Sequence, residues 1–163
     1  MLTQERLLEI LNYEHDTGLW TWLMRLSKRV RVGDIAGRIN EWGYREICID
    51  RHLYRANRLA VFYMTGEWPT ALVDHVDLNK ANDRWSNLRH ATHSQNHANS
   101  NAHADNTSGI KGVSWDASRR KWQAQIGVKG RNIYLGRHST RAEAAAIYAA
   151  AAKKYFSEFA RTP

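Results

Sequence analysis

Cysteine is nearly missing from this chain: Cys48 is the only one in 163 residues. A single thiol cannot close a disulfide within the chain, which fits a reducing compartment. It also excludes a Cys-rich zinc site, leaving histidine and carboxylate ligands as the metal donors on offer. Long apolar runs are missing too. The longest strongly apolar run, Leu59 to Met64, is far too short to span a bilayer. The opening residues Met1-Leu2-Thr3-Gln4-Glu5-Arg6 are polar and lack the apolar core of a signal peptide. The expectation is a soluble, cytoplasmic protein with no membrane partner.

Acidic charge is scarce in one place only. Residues 106–163 hold eleven Lys and Arg against three Asp and Glu, whereas residues 1–105 hold thirteen of each. The whole formal charge of +8 therefore sits in the C-terminal third. Charge carried for solubility has no reason to segregate, whereas a basic module is the electrostatic footprint of a nucleic-acid binder. With 43% hydrophobic residues and seven Trp, the chain has material for one domain or two small ones.

Taken in order, residues 3–12 read as a short amphipathic helix with Thr3 as N-cap and Leu7, Leu8, Ile10 and Leu11 on its apolar side. Asp16-Thr17-Gly18 is a turn, and Leu19 to Leu23 a strand. A basic cluster, Lys28-Arg29-Val30-Arg31, falls in a loop. Gly33 to Gly43 has strand-and-turn punctuation, Tyr44 to Ile49 alternates as a strand, and Arg51-His52 makes the next turn. Ala56 to Met64 is helical, closing at Thr65-Gly66. Residues 101–108, small and polar without periodicity, form the expected linker.

The chemistry concentrates between Asp74 and Asn96. Asp74 and His75 follow the apolar Leu72-Val73, a strand that delivers them at its end. A polar loop with Asn82-Asp83-Arg84 leads to Asn87-Leu88-Arg89 and a second strand, Leu88 to Ala91. Thr92 then caps a helix over residues 93–100 that carries Gln95 and Asn96. Asp74 offers a hard charged oxygen to a cation, and Asn96 an amide oxygen. An imidazole at position 75 can take a proton from water. Asn87 can fix the loop and orient that imidazole. On the helix His93 and Asn96 share a face, and His93 or His97 could join a metal site.

This constellation resembles the ββα-metal core of HNH endonucleases in the version found in phage and intron homing enzymes. Asn96 stands where the final His of the family name usually falls. The segment Tyr54 to Pro69 also resembles what precedes the core in that family, with Asn57 where His is usual. The resemblance implies His75 as general base, Asn87 as the residue that orients the loop, and a divalent cation on Asp74 and Asn96. That cation is Mg²⁺, with Mn²⁺ as the alternative. Arg84 and Arg89 would contact phosphate.

From Gly109 the character changes. Gly112 to Trp115 is a short strand. Lys121 to Val128 alternates, with Trp122, Ala124, Ile126 and Val128 on one face and Lys121, Gln123 and Gln125 on the other. After the Lys129-Gly130 turn, Asn132 to Leu135 makes a third strand. Thr140-Arg141-Ala142-Glu143 is a capping box opening an Ala-rich helix to about Phe156, with Tyr148 and Tyr155 as gap fillers. Gly112-Val113, Lys121 to Ile126, Tyr134-Leu135-Gly136 and Ala144 to Tyr148 resemble the AP2 DNA-binding domain. Plant members of that family carry base-contacting arginines on the first strand, where this chain has Ser114 and Asp116. DNA contact would fall to Arg119, Arg120, Lys121, Gln123, Gln125, Lys129, Arg131 and Tyr134.

The expected fold class is α+β. A ββα-metal (HNH) nuclease domain would occupy residues 1–100, with its core at about 70–100. After the 101–108 linker, an AP2-like three-stranded antiparallel sheet packed on one helix would fill residues 109–163. The resemblance implies a homing endonuclease acting on double-stranded DNA in a bacterial host. It leaves open whether the protein is a monomer or a homodimer. The competing reading is a non-catalytic DNA-binding regulator with a decayed nuclease core. Asp74, His75, Asn87 and Asn96, all in place, argue against decay. An RNA-binding module is disfavoured because no aromatic stacking platform of the single-strand type is evident.

Overall fold

The computed structural model describes residues 2–102 and 105–160. The chain divides into two compact units, residues 1–90 and 91–163.

In the first unit, Thr3 caps α1 (Gln4–Ile10) by accepting from the Arg6 amide at 3.2 Å. The helix ends earlier than its periodicity predicts, because Leu11 turns extended and starts β1 (Leu11–Glu14). β1 pairs antiparallel with β2 (Leu19–Trp22) through a turn closed by Gly18. Alternate residues Leu11, Tyr13, Trp20 and Trp22 point inward, and the Tyr13 and Trp20 rings stack at 4.6 Å.

A second sheet has the order β3 (Arg38–Ile39), β4 (Arg45–Ile49), β5 (His52–Arg55). The expected turn at Arg51-His52 lies one residue earlier. Asp50 and Arg51 both take positive φ, and His52 already belongs to β5. A two-residue loop of this hand matches the twist of a hairpin. α2 (Ala56–Thr65) follows at once and buries Ala56, Leu59, Ala60, Val61 and Phe62. Its end is set by Gly66 in the left-handed region, whose N–H donates to the Phe62 carbonyl. Leu7, Ile10, Trp20, Ile47, Ile49 and Leu59 are fully or almost fully buried in this core. Each large aliphatic side chain so buried contributes roughly 1.5–3 kcal/mol. β6 (Leu72–His75) and β7 (Leu88–Ala91) form a two-stranded sheet, with a 3-10 turn at Trp85–Asn87 before β7.

The second unit begins with α3 (His93–Asn99), opened by a capping box between Thr92 and Gln95. A three-stranded antiparallel sheet follows, ordered β8 (Val113–Asp116), β9 (Lys121–Val128), β10 (Arg131–His138). α4 (Arg141–Phe156) packs on that sheet, starting from the Thr140–Glu143 capping box. Its small residues Ala144, Ala151 and Ala152 are buried with Tyr148 and Phe156. Tyr155 fills no gap: it is 41% exposed with the Lys154 ammonium near its ring.

The division of the chain falls ten residues before the expected linker, so α3 is grouped with the sheet and α4. Ala98 of α3 is buried in the same apolar core as Tyr148 and Phe156 of α4, and hydrogen bonds add to this packing. The Lys111 ammonium donates to the His97, Ala98 and Ser100 carbonyls at the end of α3. The Ser94 hydroxyl accepts from the Lys129 amide at 3.2 Å. Part of the expected linker is folded as well. Ser108 is buried and donates to the Val113 carbonyl at 2.7 Å, and Asn106 donates to the Ile110 carbonyl at 2.9 Å. No helix among the described residues is long and apolar enough to cross a membrane.

Candidate active site

β6 ends on Asp74 and His75, and both are buried. The strand is held from α2: Asn57 Nδ2 donates to the Val73 carbonyl at 3.0 Å. Arg58 donates to the Ala71 and Pro69 carbonyls at 3.2 and 2.8 Å. Asn57 thus has a structural duty, fixing the backbone next to Asp74.

His75 Nε2 lies 3.1 Å from Asp83 Oδ1, and the two side chains are 4% and 1% exposed. Asp83 Oδ2 is buried with no hydrogen-bond partner. Burial pushes the Asp83 carboxyl up from its ordinary value, while the contact with His75 pulls the other way. Asp83 is held in turn from the first hairpin, where the Tyr13 hydroxyl donates to its carbonyl at 2.5 Å. The Trp85 amide donates to the His15 carbonyl at 2.9 Å. Burial, then the Asp83 charge, raises the Tyr13 phenol above its usual range.

Asn87 braces the loop. Its Oδ1 accepts from the Asp77 amide at 3.0 Å, and its Nδ2 donates to Asp77 Oδ1 at 2.9 Å and the Asn82 carbonyl at 2.8 Å. Burial opposes the Asp77 charge, but hydrogen bonds from Asn82, Asn87 and the Asn79 amide outweigh it and hold that carboxyl below its ordinary value.

Arg89 Nε and Nη2 both reach Asp74 Oδ2 at 3.0 Å, with the Arg89 side chain only 15% exposed. Its guanidinium is therefore engaged by Asp74, whereas Arg84 is exposed. On α3, Gln95 is spent on the cap, while His93, Asn96 and His97 are exposed.

On the C-terminal sheet Arg119, Arg120, Lys121, Gln125, Lys129, Arg131 and Tyr134 are exposed and Gln123 is half-buried. Ser114, Gln123 and Arg137 are in register across the three strands. Arg137 donates to Asp116 Oδ2 at 2.8 Å and to the Tyr134 hydroxyl at 3.0 Å. Hydrogen bonds from the Ser118 hydroxyl and Arg137 hold the Asp116 carboxyl well below the usual range.

Sequence reasoning missed the role of Asp83 and the place of Arg137. Asp83 lies within the Asn82-Asp83-Arg84 motif, so its signal was present, but a contact across eight residues of loop cannot be read from spacing. Arg137 was hidden because β10 runs to His138, beyond the expected Leu135.

A divalent cation at Asp74 would have to share that carboxylate with a group already on its Oδ2. The carboxylate is buried and already bound to a positive group, the Arg89 guanidinium. Among the described residues, three His or acidic side chains with ligand atoms within 4.8 Å of one another occur together once, at Glu14, His15 and Asp16. That cluster is exposed on the first hairpin and does not include Asp74.

Residues 54–98 match the family described as HNH endonuclease. The chain is 39% identical over 59 residues to Protein 3.8 of Escherichia phage T7, covering 36% of this chain and 49% of that protein. It is 35% identical over 88 residues to an uncharacterized HNH endonuclease of Acanthamoeba polyphaga mimivirus, covering 54% of this chain and 44% of that protein. The chain spans about half the length of the curated relatives it matches. Residues 54–98, from Tyr54 at the end of β5 to Ala98 in α3, are an HNH endonuclease domain.

Proposed function

We propose that this protein is a metal-dependent homing-type endonuclease that hydrolyses phosphodiester bonds of double-stranded DNA, guided by an AP2-like C-terminal sheet. The observation that carries the reading is the buried His75–Asp83 pair at the end of β6, inside the segment that matches the endonuclease family.

With Nε2–H donating to Asp83, the neutral ring has its lone pair on Nδ1, the nitrogen that takes the proton of the attacking water. The water oxygen bonds to phosphorus, and the bond to the 3′ oxygen breaks with its electron pair on that oxygen. Asp83 steadies the imidazolium that forms, since a buried carboxylate beside it offsets the new charge. Asn87 keeps the loop between Asp77 and Asn82 in one shape, so the ring meets the phosphate in a fixed orientation. Asp74 and Asn96 would hold Mg²⁺, or Mn²⁺ as the alternative, which supplies positive charge at the phosphate. For Asn96 the support is its spacing in the sequence motif. Arg84 and the exposed cations of the C-terminal sheet bind phosphates and set the salt dependence.

The test is nicking of supercoiled plasmid by wild type and His75→Ala, with Mg²⁺, Mn²⁺ or EDTA. Cleavage that needs the metal and falls about 10²–10⁴-fold in the variant, with DNA binding retained, supports the reading. A wild-type protein that binds DNA without cutting it under any of these conditions is a regulator instead.

A further inference from the structure

Beside the His75 ring lies a second arrangement of residues with no part in the chemistry above. The ring of Tyr44 sits 6.0 Å from that of His75, centroid to centroid. The Arg55 guanidinium lies 4.5 Å and the Lys80 ammonium 4.9 Å from the centre of the same Tyr44 ring. Arg55 and Lys80 are exposed, and no ion pair among the described residues involves either. Two cations gathered on one ring repel each other, and an anion beside them relieves that repulsion.

Next to this stack stands Trp42, at the tip of the β3–β4 hairpin and 61% exposed. Its turn is fixed from within. Asn40 Oδ1 accepts from both the Trp42 and Tyr44 amides at 3.0 Å, and the Gly43 amide donates to the Asn40 carbonyl at 3.0 Å. Lys80 ties the tip to the active-site loop, donating to the Trp42 carbonyl at 3.1 Å. A large indole has thus been placed in water on an ordered turn, where core packing gives no reason for it.

We propose that Trp42 and the Arg55–Tyr44–Lys80 stack form a subsite that grips one DNA strand beside His75. Arg55 and Lys80 take a backbone phosphate, and the Trp42 indole lies against a base or sugar of the same strand. The charge selects the occupant: two unneutralised cations and an aromatic face are the parts from which strand-tracking grooves are built. The inference rests on the nuclease reading and adds to it the surface that holds the substrate across the reacting bond.

The experiment uses the full-length chain carrying His75→Ala, so that DNA is bound without being cut. Its affinity for duplex DNA is measured over a range of salt, with Arg55→Gln plus Lys80→Gln and with Trp42→Ala or Trp42→Phe added. These side chains are exposed, and thermal unfolding checks that each variant folds like its parent. The expected result is a salt slope of log K smaller by about 1.8 for the double variant. Affinity should also fall on the order of tenfold for Trp42→Ala and be largely kept by Trp42→Phe. An unchanged slope, or Trp42→Ala binding as tightly as its parent, overturns the subsite while leaving the nuclease reading in place. A parent protein that neither binds nor, with His75 restored, nicks DNA overturns both.

Discussion

His75 Nε2 and Asp83 Oδ1 stand 3.1 Å apart in a part of the protein almost closed to water, so the imidazole has a buried charged partner eight residues away in sequence. Asp83→Asn keeps the shape and removes the charge. The expected outcome is a kcat lower by about 10²-fold, with KM and DNA affinity near those of wild type. Asp83 acts through His75, so the pH profile of kcat should change shape in this variant. A rise in KM along with the fall in kcat and a lower Tm would assign Asp83 a purely structural part.

Half-buried Arg89 and buried Asp74 form the other ion pair of the site. Removing the guanidinium takes a positive partner from a buried carboxylate, which costs about 3 kcal/mol. Arg89→Gln is therefore expected to melt well below wild type in EDTA. Mg²⁺ should restore more of its Tm than it adds to the wild type, because the ion replaces the lost positive charge on Asp74. Equal gains for both proteins would remove Asp74 from the metal site.

As the proposed ligand, Asn96 would separate metals by its chemistry. A neutral amide oxygen suits Mg²⁺, whereas an imidazole favours Mn²⁺, Co²⁺, Ni²⁺ or Zn²⁺. Asn96→His is expected to shift the nicking rate toward the transition metals, and Asn96→Ala to raise the Mg²⁺ concentration needed for half-maximal rate. Titration of Asn96→Ala that overlays wild type would leave His93 or His97 as the helix ligand.

Asp77 makes the loop sensitive to acid. Its carboxyl is held below the ordinary value by Asn82, Asn87 and the Asn79 amide against the cost of burial. Its contribution is therefore complete above about pH 4 and is lost as the pH falls through the lower folded value. Asp77→Asn should lower Tm near pH 7 and flatten the fall of Tm as the pH drops below about 4. Asn87→Ala removes three hydrogen bonds of the same loop, at about 1 kcal/mol each, and should lower kcat as well as stability.

The sequence marked local features well. Thr92 with Gln95 and Thr140 with Glu143 announce their helices because a capping box needs only four neighbouring residues. β9 is legible over its whole length because one face is buried and the other wet. Leu72-Val73-Asp74-His75 is legible for another reason, an apolar run that ends where polar residues begin. What could not be read depends on distant partners. β5 is hidden because His52-Leu53-Tyr54-Arg55 has one half-buried residue and no alternation, its register coming from β4. Arg89 gives no local sign that it faces Asp74 from fifteen residues away. The grouping of α3 with the C-terminal unit depends on Ala98 packing against α4 and on Lys111 and Lys129, partners far away in sequence.

Gly18 bears on how this chain could be shortened or exchanged. It takes φ +74° at the first hairpin, and a Cβ there would collide with the backbone of Asp83 and Arg84. The fit leaves no slack, so the hairpin acts as a mould against which the Asp83 loop is cast. The family-matched segment, residues 54–98, begins well after it. A graft of that segment into another host protein would carry the reactive groups but lose the mould. Functional transplants would have to include residues 11–22, and Gly18→Ala in the intact chain would copy the defect of a graft that leaves them behind.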